Sequence, residues 1–271
     1  MQTTLKTLIA SHAGENLAIG APGRDWLNYD QLRALSLEVG KSLNTMGIDA
    51  SDRVAIVLPN GPEMATAFVS IAQAATTAPL NPGYREEEYT FYLEDLKAKA
   101  LLVTDDYDGP AYAAAISLGM NVIRLCVPAD APAGYFTLSS EISATPATKA
   151  PTADDIALIL HTSGTTSRPK IVPLLQSNVA ASALHIQTSL KLSPTDRCMN
   201  VMPLFHIHGL IAAVTASVAS GASIWCAPGF DALKFFGWMR EAHPTWYTAV
   251  PTMHQAILTR AARNSDIIDT V

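Results

Sequence analysis

An α/β fold built on parallel-rich sheets flanked by helices is the class these 271 residues predict, on three observations. Short β-branched apolar runs alternate with stretches of helical spacing along most of the chain. Those runs are apolar without interruption, as strands covered on both faces must be. A composition of 49% hydrophobic and 15% charged residues suits a folded chain with a sizeable core and excludes a disordered one.

The elements follow in order. Leu32, Leu35, Val39, Leu43 and Met46 recur at helical spacing behind Asp30, which reads as an N-cap acid, and stop at Gly47. RVAIVLP (53–59) reads as a strand. Asn60 with Glu63 three residues on reads as the start of a helix carrying Met64, Ala67, Phe68, Ile71 and Ala75. Further strands are expected at 100–104, 121–127, 156–160, 199–202, 223–227 and 246–250. Helices are expected at 86–97, 110–118, 177–190, 207–217, 233–241 and 252–263. Between 129 and 155 the chain is rich in Pro, Ala, Ser and Thr, and large apolar groups are few. This stretch divides a first α/β unit (1–150) from a second (151–271).

Charge and cysteine content narrow the function. The net charge is −6 and no run of five basic residues occurs, so nucleic acid is excluded as a partner. Cys126, Cys198 and Cys226 are too few and too scattered for a disulfide framework or a zinc site. The opening residues carry Lys6 and no apolar run of the secretory kind, so a cytoplasmic location is expected. GLIAAVTASVA (209–219) is too short to span a bilayer and reads as a buried helix, so no membrane partner is expected.

The segment with the most chemistry in it is HTSGTTSRPK (161–170), directly after an apolar strand. Thr162, Ser163, Thr165 and Thr166 surround Gly164, and Lys170 closes the run. Backbone N–H groups and hydroxyls of such a loop can wrap phosphate oxygens while a lysine supplies a point charge. It is not a Walker loop, because Pro169 and Ile171 flank the lysine. Residues 171–175 look extended, so the anion cradle lies between strands. By composition alone the run would be an ordinary polar surface loop; the order of its residues carries the functional reading.

That order resembles the phosphate loop of the AMP-forming acyl-CoA synthetase (adenylate-forming) family, TSGTTG-x-PKG. Ser167 replaces the usual Gly, and Ile171 stands where a Gly normally follows the lysine. A β-branched residue does not settle at positive φ, so the loop exit must be extended here. The likeness continues in NYDQLRALSLEVGKSL (28–43), DRVAIVLPNGPEM (52–64), APLNPGYREEE (78–88), MPLFHIHGL (202–210) and WYTAVPTMHQAIL (246–258). It therefore runs the length of the chain, and among family members the motifs are most similar to those of oxalate–CoA ligases.

The resemblance implies the N-terminal portion of the adenylate-forming fold, with the barrel and the C-terminal domain absent. It implies attack of a carboxylate on the α-phosphate of ATP, loss of pyrophosphate, and transfer of the acyl group to coenzyme A, with Mg²⁺ bridging phosphates. Thr162, Ser163, Gly164, Thr165, Thr166 and Lys170 inherit phosphate binding. His206 inherits the place facing the carboxylate, and His208 that of a pocket residue. His206 and Lys170 are the expected catalytic pair. A small dicarboxylate such as oxalate needs extra polar donors, which two histidines could supply; a medium-chain acid such as octanoate stays open.

Read without the family, the H-x-H pair could be a metal site on a strand face or two satisfied core histidines. No third ligand cluster is visible, so no metal ligand is assigned. His161 adjoins the loop and at most orients it. His12, His185, His243 and His254 belong to no constellation, and the four tryptophans read as core.

The family's later motifs are not found: the aromatic–x–x–Thr–Glu segment, the ribose-binding Asp, the hinge and the late lysine. The expectation is a front half unable to complete adenylation alone. The alternative is a non-catalytic nucleotide- or phosphate-binding module, or one subunit of a split protein. Oligomeric state is not specified.

Overall fold

The computed structural model describes residues 3–142, 144–162 and 169–269. A short helix α1 (Leu5–Ala10) leads into the hairpin β1 (Leu17–Ala21) and β2 (Arg24–Asn28), then helix α2 (Tyr29–Thr45). Strands and helices then alternate: β3 (Arg53–Ile56), α3 (Pro62–Ile71), β4 (Thr76–Pro79), α4 (Glu86–Leu96), β5 (Ala100–Thr104), α5 (Pro110–Ser117), β6 (Asn121–Cys126) and the short β7 (Thr137–Ser139). The hairpin β8 (Ile156–Thr162) and β9 (Lys170–Leu175) precedes α6 (Gln176–Leu190) and β10 (Arg197–Asn200). A π-helix (His208–Thr215) runs into α7 (Ala216–Ala219). The described chain finishes with β11 (Ser223–Cys226), α8 (Phe235–Ala242), β12 (Trp246–Thr248), α9 (Pro251–Ala261) and α10 (Ser265–Ile268).

The strands form a five-stranded sheet, ordered β12-β10-β11-β1-β2, and a seven-stranded one, ordered β7-β6-β5-β3-β4-β8-β9. Neighbours pair in parallel except in the hairpins β1–β2 and β8–β9 and at the edge pair β6–β7. This is the α/β class the apolar runs demanded. The division expected near residue 150 is not a division between sheets. β1 and β2 belong with β10–β12, whereas β8 and β9 complete the sheet begun by β3.

Helix α3 joins the two layers. Nine of its ten residues are buried and only Glu63 is partly exposed, as befits a helix enclosed on nearly every side. It packs on α2 and on β4 from the larger sheet, and on β1 and β11 from the smaller. Phe68 at its centre is fully buried in a cluster with Ile56 and Ala100 from one sheet and Ile19 and Ile224 from the other. Its polar members are satisfied: Thr66 donates to the Gly134 carbonyl at 2.7 Å, and the Ser70 and Ser36 hydroxyls lie 3.0 Å apart.

Several boundaries differ from the sequence reading. Helix α2 is capped by Asn28 rather than Asp30. The Asn28 side chain accepts from the Gln31 N–H, and the Gln31 side chain accepts from the Asn28 N–H, both at 2.9 Å. Asp30 sits within the first turn and pairs with Arg33. The end is as expected, with Gly47 at φ +75° just beyond it. Helix α3 starts at Pro62 behind Gly61, without a side-chain cap, so Asn60 and Glu63 do not form a capping box. Glu63 is drawn to Arg24 and the Gly134 N–H instead. The strand expected at 199–202 begins two residues earlier. α1, β1, β2, β4, β7 and α10 have no counterpart in the sequence reading; they are short, and propensity is a weak signal over so few residues.

The tryptophans pack as expected, Trp225 and Trp238 within the core and Trp26 and Trp246 against it. Cys126, Cys198 and Cys226 are free. Residues 209–219 are buried helix, and among the described residues no helix is long and apolar enough to cross a membrane.

Candidate active site

The two described ends of the expected phosphate loop meet across a hairpin. Buried Ala157, Leu158 and Ile159 hold β8 in the larger sheet, parallel to β4, and carry it out to exposed Thr162. Thr162 pairs directly with Lys170, and His161 with Ile171. Ile171 is thus extended β-strand, as its branched side chain required. Both Thr162 and Lys170 are solvent-exposed. Ser163, Gly164, Thr165 and Thr166 lie outside the described residues.

The base of this hairpin is held from the side. The His161 ring is almost buried, with Nε2 3.1 Å from Asp95 Oδ2 on α4. Tyr92 meets that ring edge-on at 4.6 Å and stacks on Tyr84 at 4.8 Å. His161 therefore ties β8 to α4, in keeping with an orienting role.

The second group of candidates follows β10. Asn200, fully buried at the strand end, closes a turn on Met202: its Nδ2 donates to the Met202 carbonyl at 3.1 Å, and its Oδ1 accepts from the Met202 N–H at 3.2 Å. The chain then passes through Leu204, whose N–H donates to Asn60 Oδ1 at 2.8 Å. His206 comes next, exposed, with its ring against Phe205. The protein beneath it excludes water and lowers its pKa, so the imidazole is neutral at neutral pH. His208 opens the π-helix, and its Nε2 lies 2.6 Å from Thr248 Oγ1 at the end of β12. Neither histidine lies on a strand, so the shared strand face of an H-x-H metal pair does not exist.

Two details shape this segment. A Cβ on Gly209 would lie 2.5 Å from the Pro203 carbonyl oxygen, so only glycine permits so close a return of the helix. At the far end of the π-helix, the Thr215 hydroxyl donates to the Leu210 carbonyl at 2.7 Å. π-Helical turns recur at functional sites, because the wider turn re-aims side chains.

Both groups sit at carboxyl ends of parallel strands, where open α/β sheets hold ligands. Thr162 ends β8 in the larger sheet; His206 follows β10 in the smaller. Among the described residues no hydrogen bond joins Lys170 to His206. A polar link between the sheets is Asn60, which leaves the end of β3 and bonds to residues following β10 and β11. Sequence reasoning missed it, and missed Asp95 and Thr248 as partners. A signal for Asn60 was available: Gly61–Pro62 alone suffices to start the helix, which leaves the amide free.

The AMP-binding enzyme family matches residues 9–268. The chain is similar to an oxalate–CoA ligase of Arabidopsis thaliana, 38% identical over 266 residues covering 95% of this chain and 51% of the relative. It is also similar to an oxalate–CoA ligase of Saccharomyces cerevisiae, 36% identical over 231 residues covering 76% and 42%. Among solved structures it resembles apo MatB from Rhodopseudomonas palustris, with a TM-score of 0.80 and 26% identity over 96% of this chain and 51% of that one. The chain thus spans about half the length of the curated relatives it matches.

Proposed function

Since the chain belongs to the AMP-binding enzyme family, we propose that it forms the phosphate-binding and carboxylate-facing part of an AMP-forming acid–CoA ligase acting on a small dicarboxylate such as oxalate. The observation that carries this reading is the direct pairing of Thr162 with Lys170 at the carboxyl end of a parallel strand. That pairing brings the two described ends of the signature run together, with exposed Lys170 at one of them, and this supports the phosphate assignment.

Both reactants of the first step are negative, so the protein must above all align them and neutralise their charge. Residues 162–170, including Ser163, Gly164, Thr165 and Thr166, wrap the outer phosphates of ATP, and Lys170 offsets their charge. A carboxylate oxygen attacks the α-phosphorus; the bond to pyrophosphate breaks, and an acyl-adenylate results. His206, whose lowered pKa favours the neutral imidazole, donates one ring N–H to a carboxylate oxygen. His208 lines the acid's pocket, and Thr248 holds its ring. The thiol of coenzyme A then attacks the mixed anhydride and AMP leaves. Among the described residues no three His, Cys, Asp or Glu side chains converge. Mg²⁺, when bound with ATP, would offset the charge of its phosphates.

Two named relatives are oxalate–CoA ligases, and this supports oxalate over octanoate. The half-length span favours a second reading for these 271 residues by themselves, namely nucleotide binding without turnover. Turnover is assigned to a chain that carries the family's later segments.

Titration calorimetry of the 271-residue protein tests the reading. ATP should bind, oxalate should bind in its presence and octanoate should not. Lys170→Ala should weaken ATP by roughly tenfold or more, the scale of one charge-assisted contact. ATP binding indifferent to Lys170 would overturn the phosphate assignment. ATP bound without any carboxylate would leave the binding module.

A further inference from the structure

The side chain of Asn60 has two long-range partners. Its Oδ1 accepts from the Leu204 N–H at 2.8 Å, 144 positions away, and its Nδ2 donates to the Ala227 carbonyl at 3.1 Å, 167 positions away. An N–H can only donate and a carbonyl can only accept, so these two partners fix the orientation of the amide. Leu204 and Ala227 are both buried, so neither group has water as a substitute partner if the amide is lost.

The bonds close a circuit. The Ala227 N–H donates to the Asn200 carbonyl at 3.0 Å, and Asn200 in turn folds back on Met202, two residues before Leu204. The end of β10, the end of β11 and the start of the His206 segment are therefore tied to one another and, through Asn60, to the end of β3 in the other sheet. Apolar contacts between the sheets allow sliding by fractions of an ångström. An amide bonded through both its oxygen and its nitrogen does not, because its bonds weaken steeply with angle and distance. The backbone after Asn60 favours this placement. Gly61 at φ +153° and Pro62 turn the chain sharply into α3, which leaves Asn60 projecting from the end of β3 with no cap to make.

We propose that Asn60 is a positioning residue for the reaction, a clamp that sets the His206 segment at a fixed height relative to the phosphate-loop sheet. The proposal rests on the ligase reading for its functional meaning, whereas the clamp itself can be judged independently. It acts through Leu204, two residues before His206, and takes no part in chemistry. Its requirement is for an amide, one donor and one acceptor on a planar group of this length.

Asn60→Asp and Asn60→Ala test it in the 271-residue protein. The aspartate has the same shape and still accepts from Leu204, but sets an oxygen against the Ala227 carbonyl. The alanine loses both bonds. In Asn60→Ala, hydrogen exchange at the Leu204 amide should rise by roughly tenfold, the loss of about one buried hydrogen bond. In Asn60→Asp, that amide should stay protected. In both variants the His206 imidazole resonances should shift while those of His254, on α9, stay in place. Oxalate affinity in the presence of ATP should fall by roughly tenfold with ATP affinity within about twofold, since only the histidine side moves. Unshifted His206 resonances in both variants, or an Asn60→Asp protein indistinguishable from wild type, would overturn the clamp. A wild-type protein that binds neither ATP nor oxalate would overturn the ligase reading, and the Leu204 and His206 signals would still decide the clamp.

Discussion

The two halves of the candidate site are held by different means. The phosphate side is a hairpin, in which Thr162 faces Lys170 only eight residues on, and a β-ladder of backbone bonds does the holding. The histidine side is a non-strand segment positioned by side chains far off in sequence, Asn60 through Leu204 and Thr248 through His208. The first arrangement is local and tolerates change in most of its side chains. The second depends on the packing of the two sheets against α3, so that damage well away from it should be felt there. Three substitutions bear on that difference.

The largest effect is expected where both halves share a support. Phe68→Ala empties a fully buried site between the sheets and should cost about 3–5 kcal/mol in denaturant melts. If the contrast is right, amide protection at Leu204 is lost before that of the β8–β9 ladder as denaturant rises; simultaneous loss would break it. Gly209→Ala is narrower. The new methyl would collide with the Pro203 carbonyl, costing about 1–3 kcal/mol. The His206 and His208 resonances should move and ATP affinity should not. The smallest is Asp95→Asn, which weakens the partner of His161 on the phosphate side. With Asp95 partly exposed, under about 1 kcal/mol of stability is at stake. ATP binding should change a few-fold at most, with the His206 resonances unmoved. A response of His206 to Asp95→Asn would show that the halves are more tightly joined than their bonding suggests.

Much of this protein was legible as sequence because its signals are short-range. The apolar runs that became β3, β5 and β8 could be covered on both faces only in a parallel-rich sheet, and Ile171 required an extended exit from the loop whatever packed around it. The glycine ending α2 and the buried character of 209–219 are likewise properties of a few consecutive residues. Where local signals compete, the same reasoning failed. Asn28, Asp30 and Asn60 can all cap a helix; Asn28 takes that work with Gln31 and Asp30 pairs with Arg33, each partner three residues on, whereas Asn60 bonds to Leu204, 144 positions away.

By itself, then, the order of residues determined the fold class, the extended flanks of the 161–170 run and the two histidines of the PLFHIH segment, because each depends on neighbours within about ten positions. The tertiary structure decided how strands separated by more than a hundred residues divide between two sheets, so that neither sheet is confined to one side of residue 150. It also decided that the 208–215 helix would be π and that Asn60 would face Leu204 and Ala227. Those outcomes turn on which apolar faces bury against each other and which polar groups are then stranded without water. Packing settles such questions only once the whole chain has collapsed.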